Sequence, residues 1–91
     1  MKKEIISFTD GDGEALTLYS VKIREEGTRK VSDGILIHKD NDIDNEYDRL
    51  SGGAVGLNEP TTAEEAEALL QIAVFTQNFR IDGNGYYIFI E

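Results

Sequence analysis

The chain has 91 residues, with 18 Asp and Glu against nine Lys and Arg and a formal net charge of −9 at pH 7. That length fits one domain over residues 1–91, burying roughly 60 to 70% of its unfolded surface. It contains no cysteine, which excludes disulfides, thiolate metal sites and thiol redox chemistry and fits a reducing, cytoplasmic setting.

The first residues, MKKEIISFTD, carry two lysines, but the apolar run breaks at Ser7 and acids follow, so they do not read as a signal peptide. No run reaches the length of a membrane span. Residues 4–9 read as a first strand and 15–23 as a second. The segment 10–14 between them, Asp-Gly-Asp-Gly-Glu, is a turn, because glycine accepts positive φ and aspartate caps turn amides. The spacing of Asp10, Asp12 and Glu14 resembles the start of a calcium loop. Ala15 stands where the sharp-turn glycine belongs and Val21 where the bidentate acid belongs, so the turn reading prevails.

Residues 24–28 form a second turn, and 29–39 return as a third strand, with a bulge or small turn expected at Ser32, Asp33 and Gly34. His38, the single histidine, ends this strand. With no second histidine and no paired nucleophile, it reads as a solvated or structural side chain.

Residues 40–48, DNDIDNEYD, place carboxylates at Asp40, Asp42, Asp44, Glu46 and Asp48. As an EF-hand the run fails: Asn45 replaces the glycine at position six and Ser51 the glutamate at position twelve. If extended, alternation would put all five acids on one face at roughly 6.6 to 7 Å intervals, similar to phosphates along an extended nucleic-acid strand. As a loop, the acids keep it solvated. The glycine-rich connector 51–56 has neither P-loop nor dinucleotide spacing.

Residues 60–77, PTTAEEAEALLQIAVFTQ, are the one helix of useful length. Thr61 or Thr62 caps it, with Glu64 or Glu65 three residues on. At about 100° per residue, Ala66, Leu69, Leu70 and Ala73 form an apolar stripe, with Glu64 and Glu67 opposite. Ile72 and Phe75 fall outside the stripe, so they need a second surface: a returning segment of the same chain, or a partner such as a second copy. Residues 79–81, a turn at 82–85 and residues 86–90 then form a hairpin. The last strand is apolar on both faces, which places it centrally in the sheet or under a cover.

The expected fold is therefore α+β: a three-stranded antiparallel meander, one helix packed on one face, and a C-terminal strand or hairpin completing the sheet.

Charge carries the functional expectation. Residues 1–39 hold seven bases and seven acids, whereas residues 40–91 hold two and eleven. Such a surface repels nucleic acid and anionic membranes and attracts basic protein patches. In size and charge the chain resembles the small acidic inhibitors encoded by phages and mobile elements. That likeness implies a nucleic-acid mimic at a basic groove. Asp40, Asp42, Asp44, Glu46, Asp48, Glu64 and Glu67 would make the contact with a basic partner protein. The alternative is a structural or self-associating domain, a homodimer through Ile72 and Phe75. No residue set supports catalysis, a cofactor or a metal, so the expectation is a binding protein, not an enzyme.

Overall fold

The computed structural model describes residues 2–52 and 59–90. It is a mixed α+β structure whose described residues form six strands and one short helix: β1 (Lys3–Thr9), β2 (Ala15–Arg24), β3 (Val31–Lys39), β4 (Arg49–Ser51), α1 (Ala63–Ile72), β5 (Phe79–Ile81) and β6 (Tyr87–Phe89). The expected meander is present, β1 pairing with β2 and β2 with β3, all antiparallel.

Long β2 organises the sheet. One of its edges is shared: residues 15–20 pair with β1, and Ile23 pairs in parallel with Tyr87 of β6. The resulting order is β4-β3-β2-β6-β5. β4 meets the segment that leads into β5, because Leu50 exchanges two backbone hydrogen bonds with Thr76, N–H to carbonyl at 2.8 and 3.0 Å. The sheet thus curls back on itself, which satisfies backbone groups that an open edge would expose.

Curling gives the sheet two buried faces. Alternation along β2 sends Leu16 and Leu18 one way and Val21 and Ile23 the other. The first pair joins Phe8, Ile35, Ala66 and Leu69 in a cluster between sheet and helix. The second joins Leu36, Leu50 and Tyr87 inside the curl. β6 lies between β2 and β5, with Tyr87 and Ile88 both buried, which is why its sequence is apolar on both faces.

Two hairpin turns use the same chemistry. In each, an aspartate Oδ1 accepts the N–H groups two and four residues on: Asp10 from Asp12 and Glu14, and Asp82 from Asn84 and Tyr86. A glycine with positive φ follows three residues after each aspartate, Gly13 at 83° and Gly85 at 87°. Those φ values are why an Asp-Gly-Asx-Gly sequence recurs at both places.

Two expectations need correction, and one strand, β4, adds to them. The helix is shorter than residues 60–77. Thr62 is its N-cap, accepting the Glu65 N–H at 3.1 Å, and Ala73 already has extended backbone. β-branched Val74 and Thr76 weaken the helix beyond that point, and Thr76 is taken by the bridge to Leu50. The third strand has no bulge at residues 32–34: its register against β2 runs unbroken from Val31 to Lys39, and the irregularity lies in β1 between Glu4 and Ile6. β4, with three residues, is too short to leave a periodic signal. Most of the connector 51–56 lies outside the described residues.

Candidate functional site

Antiparallel pairing brings the β1–β2 turn and the β3–β4 loop to the same end of the sheet. Thr9 pairs with Ala15 and Leu16 with Lys39, and the Asp40 N–H donates to the Ala15 carbonyl at 2.9 Å. The helix reaches this end too, since a β-carbon on Gly11 would stand 3.8 Å from Glu67 Oε1. Asp10, Asp12 and Glu14 of the turn, the five acids of the loop, and Glu67 therefore gather at one end. These nine are half of the chain's 18 acids.

Two cations stand among them, Lys39 and Arg49. Lys39 Nζ lies 3.6 Å from Glu14 Oε2 and 4.9 Å from the centre of the Tyr47 ring. The opposite end is mixed in charge, and three of its cations are paired. Arg24 meets Asp82 at 3.2 Å and Arg80 meets Glu26 at 3.4 Å, while Lys22 bonds Asp33. The net charge is thus segregated along the molecule.

The acidic run is a loop of successive turns, not an extended strand, so its carboxylates do not form one row at strand spacing. Asn45 takes a left-handed φ of 57°, which asparagine tolerates better than most residues. Three of the five acids hold the loop. Thr17 donates its hydroxyl proton to Asp40 Oδ1 at 2.7 Å, so the Ser7 hydroxyl, 2.8 Å from Thr17 Oγ1, must donate to Thr17. Asp42 Oδ2 accepts the Tyr47 N–H at 2.8 Å. His38 Nδ1 lies 2.9 Å from Asp48 Oδ1 with both side chains largely buried. A carboxylate only accepts, so the proton sits on Nδ1, and His38 anchors the loop to β3.

Asp44 and Glu46 are exposed, and their side chains are turned outward. Glu64 is exposed in the first helical turn, whereas Glu67 is half-buried beside Gly11. Ile72 is 67% exposed, and Phe75 packs against the helix–sheet cluster of its own chain. Among the described residues, no group of three His, Asp or Glu side chains converges as a metal site, and no helix is long and apolar enough to cross a membrane.

Sequence reasoning placed Asp10, Asp12 and Glu14 in a turn without joining them to the acidic surface. The signal was available: a meander with its first turn and its third connection on the same side must bring both to one end.

A cleft of about 400 Å³ opens at this end, between the last turn of α1, the β3–β4 pair and the β1–β2 turn. Leu16, Ile37, Leu70, Ala73 and Phe75 make its apolar floor, and Tyr47, Lys39 and Arg49 its rim. No known family profile, no curated protein and no solved structure matches this chain.

Proposed function

We propose that this protein is a small acidic binding module that docks the β1–β2 turn and β3–β4 loop onto a basic groove of a partner protein, as a phage-type inhibitor mimicking nucleic acid would. The observation that supports it is the segregation of charge: nine acids stand against two cations at one end of the sheet, while the other end mixes acids with the cations Lys22, Arg24, Arg29, Lys30 and Arg80. Like charges held together cost folding stability that a uniformly solvated surface avoids, and they steer basic partners at long range. Asp44, Glu46 and Glu64, with the second carboxylate oxygen of exposed Asp40, make the contact. Asp42 and Asp48 shape the loop that presents them.

The test is capture from the native host's lysate with wild type and with an Asp44→Asn/Glu46→Gln/Glu64→Gln variant, at low and high salt. A basic protein should be held by wild type, released by salt and lost by the variant. Equal capture by both proteins at every salt concentration would refute the reading.

A second reading, self-association without ligand chemistry, is favoured by the exposure of Ile72 and of Val74, 67% and 83%. It predicts a dimer that Ile72→Ser/Val74→Ser dissolves in sedimentation.

A further inference from the structure

The acidic end is not acidic throughout. Its cleft has a floor of five apolar side chains, and three of the four charged groups that line it are engaged within the chain, while Arg49 stands exposed at the rim. Asp10 Oδ1 is committed to two backbone N–H groups, and Glu14 and Lys39 face each other. The floor therefore offers an apolar group its surface, while the polar and charged groups stand at the wall and rim. Its volume lies within the range of ordinary binding pockets, with room for one large side chain. The acidic loop borders it, because Tyr47, 53% exposed on the rim, directly follows exposed Glu46 in that loop.

We infer that this cleft receives a single large apolar side chain, aromatic or leucine-like, carried on a Lys/Arg-rich segment of the partner protein. The inference rests on the reading of the acidic end as a docking surface. Charge complementarity selects the class: a segment bearing acids would meet nine carboxylates on approach, while an uncharged one would gain nothing from them. The division of work is the usual one of an interface, in which a desolvated anchor slows dissociation and rim charges speed association. Tyr47 flanks the anchor at the rim, its ring beside Lys39.

Two Lys-rich peptides of equal length, one with a central Phe and the other with Ser at that place, are titrated into the isotopically labelled full chain at low salt. A third peptide keeps the Phe and replaces every Lys by Ser. The Phe/Lys peptide should bind about tenfold tighter than its Ser counterpart and move the amide signals of Leu16, Tyr47, Ala73 and Phe75. Ala73→Leu, which fills the cleft, should erase that advantage and leave binding of the Ser/Lys peptide unchanged. Tyr47→Ser, at an exposed position, should do the same in part, and it serves if Ala73→Leu does not fold. Equal affinity of the two Lys peptides, with shifts confined to residues 40–48, would overturn the anchor while leaving acidic docking intact. Failure of both Lys peptides to bind at low salt would remove the docking reading and the anchor together. Equally tight binding of the Lys-free Phe peptide would overturn the partner class.

Discussion

Ile23 and Gly34 lie diagonally across the β2–β3 ladder, and a β-carbon at residue 34 would stand 2.2 Å from Ile23 Cδ1 and 3.0 Å from the Ser51 carbonyl oxygen. Glycine is required there by close approach, since the strand register runs through it unbroken. Gly34→Ala should therefore lower stability by about 1–3 kcal/mol, read from urea unfolding. Adding Ile23→Val, which removes Cδ1, should return part of the loss. A Gly34→Ala protein as stable as its parent would show that the two strands separate without strain.

The same glycine explains where sequence reading stopped. Ser32-Asp33-Gly34 carries the composition of a turn, and nothing local distinguishes a turn glycine from one that makes room for a side chain two strand positions away. The helix start was legible because Thr62 and Glu65 act within one turn. Its end was not, because Thr76 is recruited by Leu50, a contact between distant parts of the chain. The acids were all visible, but the division of labour among them was hidden. Asp44 and Asp48 look alike in the run, yet only Asp48 meets His38, and alternation cannot reveal which carboxylates a loop turns back on itself.

Asp82 makes stability depend on pH at the acid end. Partial burial works to raise its pKa, but the Tyr86 and Asn84 N–H groups and the Arg24 guanidinium outweigh it and hold the carboxyl below its ordinary range. A carboxyl more acidic in the folded chain contributes stability that is full above its unfolded pKa of about 3.9 and is lost as pH falls through the folded value. Asp82→Asn should be less stable than wild type at neutral pH, with a shallower decline between about pH 5 and 2. Parallel stability profiles for the two proteins would rule out this contribution.

Tyr87 acts at the other extreme. Burial inside the curl, and then the nearby charge of Asp48, raise its pKa above the ordinary tyrosine value. The raised value contributes stability below the unfolded pKa of about 10, and that stability is lost as pH climbs through the folded value. Tyr87→Phe should flatten the alkaline loss, and Asp48→Asn should let Tyr87 ionise at lower pH in an ultraviolet absorbance titration. A Tyr87 titration unchanged by Asp48→Asn would show that burial acts alone.

The acids of the loop should separate into two groups under substitution. Asp44 and Glu46 are exposed with outward side chains, so Asp44→Asn/Glu46→Gln should leave thermal unfolding unchanged or slightly improved, because like-charge repulsion falls. Asp42→Ala strips the Tyr47 N–H of its acceptor and Asp48→Ala strips His38 of its partner, and each should cost about 1–2 kcal/mol. The two groups should also differ kinetically toward the Phe/Lys peptide. The outward pair governs long-range attraction, so its loss should slow association at low salt and leave dissociation nearly unchanged. Loss of Asp42 or Asp48 should instead speed dissociation, because Tyr47 and the rim it forms lose their position. Rapid-mixing rates across a salt series, together with urea unfolding of the same variants, check both halves. If all four substitutions cost the same stability and slow association equally, the loop acts as a diffuse charge cloud, and no distinction exists between acids that present the surface and acids that make contact.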